Sequence, residues 1–186
     1  MALFGRRKRA ASVARDRLFA LSTAQVTLDV ELGLRSAGVA AVVFKPVSAG
    51  EFVRAASDLE QLLDSVSAET GSRIERKTDS FGFEWLIVRD PDIEDLVTAA
   101  NLVASELSDA GFGAQLLAAP FRFDGGKHPV YFVYGFKTGT FWPFVPAGDG
   151  QSRDNAEELE LKAKLEKELP IEPDLTKWLA LYDLPI

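Results

Sequence analysis

Cysteine is absent from the 186 residues, and histidine occurs once, as His128. The first absence excludes disulfides, thiolate zinc sites, iron-sulfur clusters and cysteine nucleophiles, and it fits a reducing compartment. The second leaves no second imidazole to complete a metal pair, so His128, beside a turn, reads as a structural or surface residue. No apolar run approaches the ~20 residues that span a bilayer. A secretory signal is missing as well, because Arg6, Arg7, Lys8 and Arg9 are followed by Ala-Ala-Ser-Val-Ala-Arg-Asp and not by a sustained apolar stretch. The expectation is therefore a cytoplasmic protein. There is no G-x-x-x-x-G-K-[ST], and Gly111-Phe112-Gly113 lacks the third glycine of a dinucleotide loop and follows a helical pattern.

What is present is an average globular composition, 47% hydrophobic and 26% charged, which makes disorder and membrane insertion poor starting assumptions. The net charge of -7 is unevenly distributed. Residues 1–17 carry six Arg/Lys against Asp16, a net of +5, whereas residues 149–186 carry ten Asp/Glu against five Lys/Arg. An acidic body repels phosphate backbones and argues against nucleic acid as a partner. Residues 1–14 read as a flexible basic arm on a single α+β domain over 15–186. Phe4, Arg6, Arg7, Lys8 and Arg9 are the candidate contacts to an anionic membrane surface.

Along the chain, Arg15 to Leu21 suggests a short helix or extended lead-in. Val26, Leu28, Val30 and Leu32 alternate as in a half-buried strand, and Val39 to Phe44 is a compact apolar run, so Gly33 to Gly38 is expected to close a hairpin. Ser48 and Glu51 form a capping box before the stripe Phe52, Ala55, Ala56, Leu59, Leu62, Leu63 and Val66. Arg73 to Lys77 and Phe83 to Arg89 form a second strand pair across Asp79-Ser80-Phe81-Gly82. Asp92 then caps a helix with Ile93, Leu96, Val97, Ala100, Val103, Ala104 and Leu107 on one face, stopped by Gly111. Three strands follow, at Gln115 to Phe123, Val130 to Phe136 and Thr140 to Val145, with Pro129, Pro143 and Pro146 each removing a backbone donor and pushing the last towards a sheet edge or into an irregular extension. Asp154 and Glu157 cap a charged helix running to about Leu169, and Leu175, Trp178, Leu179 and Tyr182 are spaced to dock a short C-terminal helix.

The expected fold is α+β: an antiparallel or mixed sheet of five to seven strands, with helices starting near Ala49, Ile93 and Asn155. Its core should include Phe44, Leu59, Leu62, Trp85, Leu86, Val97, Val103, Leu116, Phe132 and Phe136.

Catalytic patterns do not complete. Asp90, Asp92, Glu94 and Asp95 resemble the opening of a calcium loop, but Asp95 stands where glycine is needed and Asn101 where the closing glutamate belongs. At a helix start the same carboxylates complement the macrodipole. Lys137-Thr138-Gly139 matches an element of penicillin-recognising serine enzymes, yet no S-x-x-K supplies their nucleophile. No enzyme activity and no cofactor are expected. Lys137, Phe141, Trp142, Phe144 and Arg153 form the candidate partner surface, aromatic side chains flanked by cations. The competing reading places Phe141 and Phe144 in the core, with the prolines shaping a turn. In a strand, Phe141 and Pro143 face one side, Trp142 and Phe144 the other.

A further set of motifs runs along the chain: Phe44-Lys45-Pro46, Phe81-Gly82-Phe83-Glu84-Trp85 with Arg89, Ala110-Gly111-Phe112-Gly113-Ala114-Gln115-Leu116-Leu117, and Lys137-Thr138-Gly139-Thr140-Phe141-Trp142-Pro143-Phe144. Arg153-Asp154-Asn155 and Leu169-Pro170-Ile171-Glu172-Pro173-Asp174-Leu175 with Trp178 continue it. Taken together, in their order and spacing, these motifs resemble the PspAB family of PspA-associated proteins from actinobacterial phage-shock, or envelope-stress, loci. The resemblance implies a cytoplasmic accessory or adaptor protein with a protein partner, a PspA-type protein or an HtpX-type membrane protease. By analogy the α+β pattern is similar to small secretion-chaperone-like folds, although fold does not fix function. The alternative is a peripheral protein held at the inner face of the membrane by the basic arm.

Overall fold

Leu18, Leu21, Ala24 and Leu28 recur at intervals of three, three and four, the spacing of one helical face, and all four are fully buried. This stripe organises the start of the computed structural model, which describes residues 17–45, 61, 63–148, 152–182 and 184–186. A 3-10 turn at Arg17–Phe19 leads into α1 (Ala20–Thr23) and a wider π turn at Thr27–Glu31. β1 (Arg35–Phe44) follows, then helix α2, described over 63–70, β2 (Arg73–Thr78), β3 (Glu84–Arg89) and α3 (Ile93–Leu107). β4 (Leu116–Asp124), β5 (Val130–Gly135), β6 (Thr140–Phe144), α4 (Asn155–Leu165) and a 3-10 turn at Leu175–Lys177 complete the order.

The expected strand at Val26 to Leu32 is helical instead. Leu28 is buried while Val26 and Val30 are 70% and 77% exposed, and Leu28 N–H donates to the Ala24 carbonyl at 3.0 Å. The alternation of 26, 28, 30 and 32 is accidental; the flanking 3-3-4 stripe sets the period, and tertiary burial overrides the β preference of valine. Gly33, at φ +66°, turns the chain out of the helix, so the expected hairpin over Gly33 to Gly38 gives way to one long strand that contains Gly38.

The six strands form an open antiparallel sheet in the order β2-β3-β1-β4-β5-β6. The α+β expectation with five to seven strands holds. The described parts of Met1–Arg35 and Phe123–Leu184 make one compact unit, and Ser36–Arg122 with Pro185–Ile186 the other.

In the second of these units Phe44 stands opposite Glu84, and Thr78 also stands opposite Glu84 from the other side. Val39 to Phe44 and Trp85 to Val88 are buried without a break. Successive residues point to opposite faces, so an unbroken buried run means that both faces are covered. α3 starts as read from the sequence: the Asp92 carboxylate accepts Glu94 N–H at 2.7 Å, and Ile93, Leu96, Val97, Ala100, Val103, Ala104 and Leu107 are all buried. The capping box at Ser48 and Glu51, with Phe52 to Leu59 and Leu62, lies outside the described residues; Leu63 and Val66 of that stripe are buried.

In the first unit β5 and β6 pair with Tyr131 opposite Phe144 and Gly135 opposite Thr140. β6 is the outer strand, as its proline suggested. Regular helix α4 ends at Leu165, short of the expected Leu169, and a turn carries the chain on to Pro170. The predicted C-terminal helix is absent: only Leu175–Lys177 is helical, and Leu175, Leu179 and Tyr182 are exposed while Trp178 is buried. The carbonyls of Trp178 and Leu179, which a helix would use in its own ladder, accept side-chain donors instead. Of the expected core, Phe44, Trp85, Leu86, Val97, Val103, Leu116 and Phe132 are buried. Phe136 is half-buried in a turn, and Leu59 and Leu62 lie outside the described residues.

Candidate functional site

An outer strand leaves a row of backbone donors and acceptors open to another chain. On β6 much of that row is filled. Phe141 N–H donates to the Pro170 carbonyl at 2.9 Å, and the Phe141 carbonyl accepts Glu172 N–H at 2.8 Å, so the C-terminal segment runs parallel to the edge across Ile171. Pro143 has no N–H to satisfy. Val145 N–H donates to Glu158 Oε1 at 2.9 Å, and the Val145 carbonyl accepts Asp154 N–H at 2.8 Å. A further bridge joins Pro146 and Arg153.

The keystone is an ion pair. Arg153 Nε lies 2.9 Å from both oxygens of Glu158, with the side chains 17% and 2% exposed. Arg153 Nη1 reaches the Trp178 carbonyl at 2.8 Å, and the guanidinium sits 5.4 Å from the centre of the Phe144 ring. One arginine thus ties the edge strand, α4 and the C-terminal segment. Burial raises the Glu158 pKa and outweighs the opposing hydrogen bonds from Arg153 and Val145 N–H. Two indoles add fixed bonds: Trp142 Nε1 donates to the Leu179 carbonyl at 3.0 Å and Trp178 Nε1 to the Glu172 carbonyl at 2.9 Å. Glu172, also buried, accepts from the Thr140 hydroxyl at 3.0 Å.

The sequence-derived partner residues fall as follows. Phe141 and Phe144 are fully buried and Trp142 is 4% exposed; Phe141 packs 4.8 Å from the Tyr134 ring. Trp142, Phe144 and Arg153 meet beneath the C-terminal segment, whereas Lys137 stands exposed in the β5–β6 turn. Above them, Leu175, Leu179 and Tyr182 are 49%, 61% and 40% exposed, with the Tyr182 ring 5.7 Å from Phe144. Sequence reasoning missed Glu158 and Glu172, because nothing in a run of acidic residues marks the one that turns inward. Phe4, Arg6, Arg7, Lys8 and Arg9 lie outside the described residues.

The carboxylates at the start of α3 are engaged within the fold: Asp90 accepts from the Ser72 hydroxyl at 2.8 Å and from Asp92 N–H at 2.9 Å. Among the described residues no group of three or more His, Asp or Glu could hold a metal ion, and no helix is long and apolar enough to cross a membrane. What this site offers is a rigid platform: a segment anchored from below by indoles and an arginine, with aliphatic and aromatic side chains facing solvent.

No curated protein and no solved structure matches the chain. A family model does, described as PspAB, PspA associated protein B, and it covers residues 1–186. The chain belongs to the PspAB family.

Proposed function

We propose that this protein is a non-catalytic adaptor of a phage-shock-type envelope stress response and that it acts in the cytoplasm by binding PspA. Family membership carries the reading, since the family is described by its association with PspA. The platform over β6 supplies the surface. Phe141, Trp142, Phe144 and Arg153 belong to it as its base, Lys137 stands exposed in the adjoining β5–β6 turn, and Leu179, the most exposed of its apolar side chains, is the first contact. Holding such side chains in place before binding reduces the ordering cost of association. The test is titration of purified PspA with the full chain. Wild type should bind, and Leu179→Asp should bind more than about tenfold more weakly, as expected of an interface hot spot, with unchanged thermal stability. Absence of binding by wild type, or equal binding by the variant, overturns the reading.

The net of +5 over residues 1–17 supports a second reading, peripheral contact with anionic lipid through Phe4, Arg6, Arg7, Lys8 and Arg9. Deleting residues 2–10 should then abolish salt-sensitive binding to phosphatidylserine vesicles; unchanged binding removes the lipid role.

A further inference from the structure

Phe81 is 72% exposed at the tip of the β2–β3 hairpin, and the tip is built to hold it there. Asp79 Oδ1 accepts Phe81 N–H and Phe83 N–H, each at 2.9 Å, while Oδ2 accepts Trp85 Nε1 at 2.9 Å. Gly82, at φ +76°, supplies the left-handed residue the turn requires, and its N–H returns to the Asp79 carbonyl at 3.1 Å. Two exposed lysines stand on the strands next to the tip: Lys77 on β2, and Lys45 just past β1, whose Nζ lies 4.6 Å from the centre of the Phe83 ring.

A complementary feature lies against α4. A groove of about 410 Å³ has Leu34, Leu161 and Ala156 on its walls and Asp154, Glu157, Glu160 and Lys164 as its charged lining, with Lys164 Nζ 2.6 Å from Glu160. Leu34 and Leu161 are 3% and 6% exposed. Gly126 keeps one wall open, because a Cβ there would stand 3.1 Å from Glu157 Oε1. Its volume falls within the range that holds small apolar groups. A hairpin end with two lysines against Asp79 and a groove with three carboxylates against one lysine are opposite in net charge.

We propose that the protein self-associates head to tail, the Phe81 tip of one copy entering the groove beside α4 of a second copy. The contact uses different surfaces on the two copies, so it propagates or closes by reciprocity. It is independent of PspA and does not involve Leu179. A bilayer is the less suitable occupant: a fluid surface gains little from a tip fixed by three side-chain hydrogen bonds, and one aromatic with two lysines anchors only marginally.

Sedimentation velocity on the full chain tests this up to about 1 mM, where even a millimolar Kd leaves a large associated fraction. In low salt the average mass should exceed the monomer and rise with concentration, and added salt should reduce it. Phe81→Ala and Glu157→Lys, both at positions outside the buried core, should each weaken association about tenfold or more. Mixed together they should restore pairing, since the first keeps its groove and the second its tip. A wild type that stays monomeric, a Phe81→Ala variant that associates normally, or a mixture that does not recover overturns the proposal. So does Phe81-dependent binding to anionic vesicles without self-association.

Discussion

Replacing Arg153 by Met would keep most of the side-chain stem while removing the charge that faces Glu158. The wild-type guanidinium makes two 2.9 Å contacts to that carboxylate and one of 2.8 Å to the Trp178 carbonyl. With Glu158 only 2% exposed, the variant strands a buried charge, a situation that costs about 3–5 kcal/mol when one partner of a buried pair is removed. At an m-value of about 2 kcal/mol/M, the urea midpoint should fall by roughly 2 M. Trp142 and Trp178 border the site, so intrinsic fluorescence is the natural assay. The double variant Arg153→Met/Glu158→Leu should recover much of the loss, although Val145 N–H then lacks its acceptor and about 1–3 kcal/mol remains lost. The sign of the pH dependence follows from Glu158. Its folded pKa is raised, so the folded state binds the proton more tightly, and this group's contribution to stability declines as pH rises from 4.5 through the folded value. Without Arg153 the carboxyl is raised further, so the Arg153→Met deficit should shrink on acidification from neutral pH. A cost under about 1 kcal/mol, or one that is flat with pH, would refute the assignment of Arg153 as keystone.

Three further outcomes test other parts of the fold. Leu28→Ala should cost about 2–5 kcal/mol in chemical denaturation and Val30→Ala no more than about 0.5, whereas a strand with both on its buried face would make them comparable. Asp79→Ala should speed amide exchange at Phe81 and Phe83. In wild type the same exchange should quicken as pH falls through and below 3.8, after correction for intrinsic rates: burial raises this pKa, but bonds from Trp85, Phe83 and Phe81 with the nearby Lys45 lower it overall, so its stabilisation is lost towards acid. Gly125→Ala should destabilise by more than about 2 kcal/mol in thermal melts, because Gly125 sits at φ +129° and a Cβ there would collide with the Gly33 carbonyl oxygen.

Local chemistry made much of this fold legible. The meander from β4 to β6 is written in its turns, and α3 in a seven-residue stripe with an aspartate at its cap, signals that act within a few residues of one another. At Val26 to Leu32 a short alternation competed with a longer helical stripe that began at Leu18, and the longer period won because it carried the buried positions. At Leu175 to Tyr182 the helical spacing was real but the backbone carbonyls were claimed by Trp142 and Arg153, residues 37 and 25 positions away. The inward turn of Glu158 depends on Val145 N–H, 13 positions away, and on an Arg153 whose own second anchor is the Trp178 carbonyl. Such contacts leave no trace in a local pattern, which is why the platform over β6 emerged only from the folded chain.

The closing of the β6 edge by Pro170 and Glu172 also sets an order of events during synthesis. Phe144 is made 28 residues before Glu172, an interval of about 1–6 s at ordinary elongation rates. Through that interval Phe141 offers an unsatisfied donor and acceptor beside an aromatic strand, and only the missing N–H of Pro143 blunts it. The nascent chain therefore passes through a window in which edge pairing with a neighbour competes with its own completion, and slower translation between Phe144 and Glu172 would lengthen it.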